Sequence, residues 1–337
     1  MRYLLVLFLA VGSFANAQVT TRGETPLVID AKPIPFFDKD HRERTRFGKL
    51  EFRGGLVLTS SDVRFGGLSA LNMEPDGEGF LAISDRGYWL RGRIAYDDGR
   101  LAGVRDAMMT PILDDKREPA SSWDTESLTR DGDVRYIGIE RIHQIARYDL
   151  GTEGFGARGK LLETPDALRR LPSNKSLESL VFVPGIAGGA KPDAPPHPLA
   201  GAFVAVSEGG IDAKGGIQAF IIGGPAPGTF SVKQSGKLEI SDATLLPDGD
   251  LLLLERHYSV LEGLFIRVRR IARDDIAPGA VVDGEELMSV NSRCEIDNME
   301  ALSFHKNAAG DVILTLLSDN NYSPIQRTLL LQFALKD

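Results

Sequence analysis

The stretch Asp297-Asn298-Met299-Glu300-Ala301-Leu302, followed after a polar turn by Ile313-Leu314-Thr315-Leu316-Leu317-Ser318-Asp319-Asn320-Asn321, is one copy of a pattern that recurs along the chain. Each copy begins with an acid, or in one case a serine, then a small residue and an apolar run, and continues through a turn into an apolar strand that ends on a second acid. The first positions of the five copies are Ser69, which is neutral, and the acids Glu126, Glu178, Asp242 and Glu300. The second positions are Asp85, Glu140, Glu208, Glu255 and Asp319.

The spacing of these copies indicates the architecture. Successive first positions, from Ser69 to Glu300, are 57, 52, 64 and 58 residues apart. A repeat of this length suits one four-stranded propeller blade with its loops. No segment shows a sustained helical period, and the short apolar runs are separated by turns, which is typical of strands. We therefore predict an all-β fold, a single β-propeller with five blades; a six-bladed ring is the alternative if residues 18–59 and Pro184–Pro198 contain a further sheet.

The last copy is one strand short of a full blade. It offers strands at Met299–Phe304, Asp311–Ser318 and Thr328–Leu335. The segment Lys49–Thr59 has strand character and precedes the first copy, so we expect it to complete the last blade and remove the open edges of the ring. The predicted organisation is a signal peptide over residues 1–17, an irregular segment over 18–48 and the propeller domain over 49–337.

The repeated acids are expected to meet at one end of the propeller. The first two strands of a blade are antiparallel, so the start of one and the end of the next lie on the same face. Ten positions, nine of them acidic, therefore converge on one mouth. Carboxylates about 4 Å apart repel by about 4 kcal/mol per pair at an effective dielectric of 20, so something must compensate them.

A hard cation is one compensation, because oxygen ligands suit Ca²⁺ or another divalent ion. Ion pairs with Arg86, Arg141 and Arg256, each directly after a second-position acid, together with bonds from backbone amides, are the other. Both explanations stay open from the sequence alone. The candidate metal ligands are Asp85, Glu140, Glu178, Glu208, Asp242, Glu255 and Asp319.

Further residues near the mouth carry possible chemistry. Glu126 and Glu300 are candidates for general base or metal ligand, and His143 and His257 for proton donor to a leaving group. A guanidinium fork recognises an anionic ester bidentately, which makes the three arginines candidates for substrate binding. Asn320 and Tyr322, directly after the last acid, are expected to line the same pocket.

Composition and the N-terminus bear on location and partners. Arg2, the apolar run Leu4–Val11 and the small residues Ala15-Asn16-Ala17 are typical of a secretory signal cleaved before Gln18, which predicts a periplasmic or secreted protein. No later apolar run is long enough to span a bilayer, so no membrane insertion is expected after cleavage. The net charge of −8 argues against nonspecific binding of nucleic acid.

An ordered series of short motifs resembles a known family. The motifs are Gly66-Gly67-Leu68-Ser69, Ser84-Asp85-Arg86-Gly87, Glu126-Ser127-Leu128, Glu178-Ser179-Leu180, Asn298-Met299-Glu300-Ala301-Leu302, Ser318-Asp319-Asn320-Asn321 and Gln326-Arg327-Thr328-Leu329-Leu330. They resemble the phytase-like domain family, described as having esterase-like activity of phytase and found in exported bacterial proteins. The resemblance implies a β-propeller and hydrolysis of phosphate or other esters. It does not extend to the Asp-Asp-Pro stretch of the calcium-dependent propeller phytases.

These observations predict an exported, metal-assisted ester hydrolase, and more specifically a phosphoesterase that acts on a small anionic ester at the acidic mouth. Two alternatives remain. One is a Ca²⁺-dependent lactonase or carboxylesterase on a similar propeller. The other is a non-catalytic propeller of the cell envelope that binds a ligand and whose acids and arginines are structural.

Overall fold

Five mostly antiparallel sheets follow one another along the described part of the chain. The computed structural model describes residues 23–172, 177–185 and 198–336. Four strands come first: β1 (Thr25–Pro26), β2 (Asp30–Ile34), β3 (Arg46–Phe47) and β4 (Leu50–Thr59). Blade 1 is built on β5 (Leu68–Met73), β6 (Gly79–Ser84), β7 (Tyr88–Asp97) and β8 (Arg100–Pro111), with β1 at its outer edge. Blade 2 contains β9 (Thr125–Asp131), β10 (Val134–Ile139), β11 (Gln144–Asp149) and β12 (Lys160–Leu162).

The remaining blades repeat this arrangement with small additions. Blade 3 contains β13 (Ser179–Phe182), β14 (Ala202–Ile211), β15 (Ile217–Gly223) and β16 (Gly228–Val232). Blade 4 contains β17 (Glu239–Leu245), β18 (Leu251–Ser259) and β19 (Gly263–Ile271); β20 (Val281–Val282) pairs in parallel with β16 of blade 3, and β21 (Glu285–Asn291) completes blade 4. Blade 5 contains β22 (Met299–Lys306), β23 (Val312–Ser318) and β24 (Thr328–Leu335). The helices are α1 (Leu150–Glu153) and 3₁₀ turns at Gly154–Gly156, Leu168–Arg170 and Arg273–Asp275.

The blades form a closed five-membered ring, as predicted. The innermost strands β5, β9, β13, β17 and β22 contact one another in that order, and β22 returns to β5. The six-bladed alternative is not the structure of the described part of the chain, which contains five sheets.

The N-terminal strand closes the ring, which confirms the prediction for this segment. Strand β4 pairs with β24 from Leu58 opposite Thr328 to Leu50 opposite Leu335, and so becomes the fourth strand of blade 5. The segment expected to be irregular contributes β1, β2 and β3 in its described part. Strand β2 contains Pro33 and lies at the outer edge of blade 5, where a residue without an N–H is tolerated.

The core consists of apolar layers between neighbouring blades. In β18, the run Leu251–Leu254 is fully buried because its side chains alternate between two layers. Leu252 and Leu254 pack with blade 5, whereas Leu251 and Leu253 pack with blade 3. Burying one such side chain contributes about 1.5–3 kcal/mol.

The predicted signal peptide lies outside the described residues. Among those described, no helix has the length and apolar character needed to cross a bilayer.

Candidate active site at the acidic mouth

Irregularities in strand pairing define equivalent positions in the blades. In the innermost pair of blade 2, Ser127 pairs with Gly138 and Thr125 with Ile139, so Glu126 has no partner and forms a β-bulge. Bulges of this kind re-aim a side chain. The same irregularity leaves three further residues unpaired: Ser69 in blade 1, Ser241 in blade 4 and Glu300 in blade 5. In blade 3, Glu178 directly precedes β13 at the corresponding place.

The second position follows from the same register. In each of these blades, the residue just before the bulged one pairs with the last residue of the second strand. The next residue along the chain is Asp85, Glu140 or Asp319. Their backbone N–H groups donate to the carbonyls two residues before the bulged residue, those of Gly67 at 2.8 Å, Asp124 at 3.0 Å and Asn298 at 2.9 Å. In blade 4 this position belongs to Arg256, because Ile240 pairs with Glu255. We call the following ten residues the acidic ring: Ser69, Glu126, Glu178, Ser241, Glu300, Asp85, Glu140, Glu208, Arg256 and Asp319.

The ring differs from the predicted one in blade 4, where the repeat pattern is out of register by one residue. A slip of one residue moves a side chain to the other face of a strand. Asp242 is buried, and its carboxylate accepts hydrogen bonds from the N–H groups of Ala243 and Leu302, both at 2.7 Å, which fastens blade 4 to blade 5. The ring position itself is Ser241, whose Oγ donates to the carbonyl of Met299 at 2.9 Å.

The second acid predicted in blade 4 is also absent from the ring. Glu255 is fully buried between two arginines, with Oε2 2.5 Å from Arg267 Nε and Oε1 2.5 Å from Arg269 Nη2. A metal-binding role for Asp242 or Glu255 therefore does not fit, because Asp242 bonds amides of blades 4 and 5 and Glu255 pairs with arginines inside blade 4. The acidic ring holds seven acids, two serines and one arginine rather than nine acids.

Burial and mutual repulsion act on the ring carboxylates. The pKa of Glu126 is raised well above its usual value by burial and by Glu178. Burial likewise raises the pKa of Glu178, with Glu300 adding to the effect. The pKa of Glu300 is raised by burial to about 7 although Arg256 opposes the shift. Burial and Asp319 raise the pKa of Asp85 to about 6. The acids are therefore close enough to share one electrostatic environment.

Arg256 is the internal counter-ion of the ring. Its Nη2 lies 3.2 Å from Glu208 Oε1 and 3.1 Å from Glu300 Oε1. Its Nη1 donates to Asn298 Oδ1 at 3.0 Å, and Asn298 Nδ2 donates in turn to Glu300 Oε1 at 2.7 Å. These contacts occupy much of the guanidinium, so Arg256 orients Glu300 in this structure.

A tight carboxylate group lies in the blade 2 sector. Asp124, Glu126 and Glu140 each bring one ligand atom within 4.8 Å of the others. Asp124 was missed in the sequence because it is not one of the repeated acids. Its position two residues before Glu126 matches that of Asn298 before Glu300, which was the available signal. Arg141, predicted to bind substrate, extends outward and donates from Nε to Asp124 Oδ2 at 2.7 Å.

An arginine stacked on a tyrosine borders the mouth at blades 1 and 5. The Cζ of Arg86 lies 3.3 Å from the ring centroid of Tyr322. Arg86 is exposed and forms no ion pair with any described residue. The Oδ1 of Asn320 accepts from the N–H of Tyr322 at 3.1 Å and holds the turn that carries this tyrosine. Gly67 has φ +58°, and a Cβ there would collide with Asp85 and with the Tyr322 ring.

Both candidate histidines closely follow a ring residue in the chain. His143 has φ +52° in the turn after Glu140, and burial lowers its pKa. His257 Nε2 lies 3.1 Å from Glu262 Oε2 within the hairpin that follows Arg256. Neither side chain forms a hydrogen bond with a ring residue in the part of the chain that is described, so the role of proton donor to a leaving group stays a prediction for both.

Comparison with solved structures returns many matches at low similarity. Glutaminyl cyclase from Myxococcus xanthus is 9% identical, with 81% of this chain and 92% of that chain covered and a TM-score of 0.40. U3-55K is 11% identical, with 80% and 95% covered and a TM-score of 0.42. The WD40 domain of Toxoplasma gondii coronin is 10% identical, with 93% and 88% covered and a TM-score of 0.41. The five sheets themselves define the fold of this chain.

Sequence comparison assigns the family. No curated protein matches this chain. The family described as Phytase-like, esterase-like activity of phytase, matches residues 63–322, a range that runs from the loop before blade 1 to Tyr322 and includes every residue of the acidic ring. The chain therefore belongs to the Phytase-like family.

Proposed function

We propose that this protein is an exported, metal-assisted ester hydrolase, and specifically a phosphoesterase, whose site is the acidic mouth. The observation that carries the proposal is the group Asp124, Glu126 and Glu140 inside a ring of seven acids that has one internal cation. Membership of the Phytase-like family supports ester hydrolysis as the reaction class.

The donor set fits a hard divalent cation. All three groups offer carboxylate oxygens, the ligands that Ca²⁺ and Mg²⁺ prefer. Glu126 forms no hydrogen bond or ion pair with another described residue, and the raised pKa of its carboxyl indicates that nearby positive charge is lacking. The buried Asp85 Oδ1 also has no hydrogen-bond partner among the described residues. Asp124, Glu126 and Glu140 would hold the ion, which supplies Lewis acidity and lowers the pKa of water when bound.

Two residues would act on the substrate directly. Glu300, oriented by Asn298 and Arg256, has a pKa near neutrality, which suits a group that accepts a proton from water and returns it to the leaving alcohol. Water adds to phosphorus as the bond to the alcohol oxygen breaks. Arg86 lies stacked on Tyr322 with its guanidinium edge available, so it would bind the non-reacting oxygens of the phosphate.

One observation favours a second candidate, a Ca²⁺-dependent lactonase or carboxylesterase. Arg256 and Arg141 are already paired with acids, which leaves one cation, Arg86, for an anionic substrate. A neutral ester needs no further positive charge at the mouth.

The test is turnover by the purified chain on a panel of phosphate monoesters and diesters, lactones and carboxylic esters, in Ca²⁺, in Mg²⁺ and in chelator. The phosphoesterase proposal expects phosphate release that requires an ion and that is lost in Glu126→Gln and Glu300→Gln with the fold intact. Glu285→Gln, which changes an exposed carboxylate on the outermost strand of blade 4, is the matched control and should keep activity. Hydrolysis of lactones alone would support the second candidate, and ligand binding without turnover of any ester would contradict both.

A further inference from the structure

Exposed apolar side chains are concentrated on the face that carries the mouth. Ten large apolar side chains are exposed in the described part of the chain. Seven of them lie in the connections or strand ends next to the ring positions: Val63, Ile142, Ile211, Tyr258, Val260, Leu261 and Ile325. Three of the seven, Tyr258, Val260 and Leu261, lie within four residues of one another, and neighbouring exposed apolar groups mark interaction sites more often than scattered ones do.

The hairpin between β18 and β19 carries the most exposed of these groups. Strand β18 continues for three residues beyond Arg256, and Ser259 pairs with Gly263. At about 3.3 Å per residue, the hairpin extends about 10 Å past the ring. At its tip, Tyr258 is 66% exposed, Val260 88% and Leu261 97%.

The tip is braced rather than loose. Glu262 accepts from Ser259 Oγ at 3.2 Å, and the N–H of Glu262 donates to the same Oγ at 3.1 Å. His257 Nε2 lies 3.1 Å from the Glu262 carboxylate. Two adjacent aliphatic side chains are thus held out in water by a well-bonded turn, which indicates that they have an apolar partner.

The position of the hairpin indicates which partner. The hairpin directly continues the strand that supplies Arg256, the cation beside Glu300 and Glu208. A molecule whose polar group lies in the acidic ring would therefore extend along the hairpin if it carried a hydrocarbon arm. The ring is polar and the border is apolar, an arrangement complementary to an amphiphile.

We propose that the substrate of the mouth is an amphiphilic ester, and that the hairpin tip Tyr258–Leu261 binds its hydrocarbon arm. This inference rests on the proposed function for the location of the ester group. It assigns a specificity role to residues that lie outside the acidic ring.

The test uses monoalkyl phosphates from ethyl to dodecyl, below their micelle concentrations, with Ca²⁺ present. Once the arm exceeds about 10 Å, KM should fall by about fourfold for each further methylene that becomes buried. The double variant Val260→Ser/Leu261→Ser should raise KM for the dodecyl ester by at least about tenfold and leave ethyl phosphate unchanged. Leu161→Ser and Val281→Ser, which change exposed apolar residues on outer edge strands, are the matched controls and should have no effect.

Binding of dodecylphosphonate, whose carbon–phosphorus bond resists hydrolysis, separates this inference from the proposed function. The affinity for alkylphosphonates, measured by calorimetry, should increase with chain length and be lost in the double variant. This result would support the hairpin role even if no ester were turned over. The inference would be overturned if turnover and binding did not depend on chain length, or if the double variant kept that dependence. The hydrolase proposal would still stand in either case. A third result would also overturn the inference: a double variant that keeps normal turnover and phosphonate binding but no longer binds phosphatidylcholine vesicles. The hairpin would then dock on a lipid surface.

Discussion

Arg256 Nη2 lies 3.1 Å from Glu300 Oε1, and Arg256 occupies the ring position that is acidic in the other four blades. Blade 4 thereby places one cation among seven carboxylates. The same guanidinium contacts Glu208 at 3.2 Å, so two neighbouring acids depend on it. Because the acids lie in a partly water-excluded mouth, removing that cation should affect both the stability of the propeller and the protonation of Glu300.

Replacing Arg256 with methionine should therefore destabilise the protein by about 2–4 kcal/mol, since it leaves buried carboxylates unpaired. The loss should be larger at pH 8 than at pH 5, where the acids can take up protons instead. Urea unfolding at both pH values measures it. Arg141→Met removes a guanidinium that is 64% exposed, so its ion pair is screened by water and its loss should cost clearly less than that of Arg256. Equal losses in the two variants would show that Arg256 is not the counter-ion of the ring.

The stability of the metal-free protein should depend on pH in an unusual direction. The folded-state pKa of Glu300 is raised from 4.5 to about 7, so between these values the folded state binds more protons than the unfolded state. Stability must then fall as pH rises through that window, by on the order of 1–3 kcal/mol for this one group. Asp85, with its pKa raised to about 6, adds a contribution of the same sign.

Thermal unfolding from pH 5 to 8 in chelator and in excess Ca²⁺ tests this dependence. Tm should decline with pH in chelator and much less with the ion, because bound Ca²⁺ takes the place of the protons. Glu300→Gln should flatten the chelator curve. A Tm that rises across this range in chelator would contradict the assigned direction.

Glu126 and Asp242 provide a matched pair for the metal site. The repeat pattern treats them alike, but Glu126 faces the mouth and Asp242 bonds two backbone amides. At 100 times the dissociation constant, an ion that binds only the folded state stabilises it by about 2.7 kcal/mol. Glu126→Gln should abolish this Ca²⁺-dependent gain. Asp242→Asn should lower stability by about 1–2 kcal/mol and keep the gain, and loss of the gain in Asp242→Asn alone would place the metal elsewhere.

The architecture could be predicted because each blade repeats its apolar runs and turns. The closing strand β4 was also predictable, since the last repeat is one strand short and Lys49–Thr59 has the needed pattern. The ring residues of blade 4 could not be predicted from the sequence. Ser241-Asp242 and Glu255-Arg256 each place an acid beside the true ring residue, and a bulge decides which of the two faces the mouth. A bulge depends on backbone pairing, which residue types alone do not reveal.

Asp124 was missed for a related reason. The residues that match it in other blades include Gly67 and Asn298, so no acid repeats at that position. Asp124 itself has φ +54°, a conformation that non-glycine residues seldom adopt and that is often found at functional sites. The repeat therefore located the mouth, but the asymmetry that makes one sector suitable for an ion became visible only from the fold.

Gly67 can be used to test whether close packing against Asp85 and Tyr322 at the border of the mouth is required. Gly67 and Gly132 share φ +58°, so an alanine at either position has the same left-handed strain, about 1 kcal/mol. At Gly132 a Cβ would meet open space, whereas at Gly67 it would collide with Asp85 and the ring of Tyr322. Gly67→Ala should therefore cost about 1–3 kcal/mol more than Gly132→Ala.

The collision at Gly67 should also lower activity, because it displaces Asp85 from the ring and Tyr322 from beneath Arg86. Steady-state kinetics of the two alanine variants at a temperature where both are folded measures this effect. Gly132→Ala should retain the kinetics of the unmodified protein, since the turn between β9 and β10 lies at the opposite end of those strands from Glu126 and Glu140. If Gly67→Ala had the same stability and kinetics as Gly132→Ala, the stacking of Arg86 on Tyr322 would not contribute to activity.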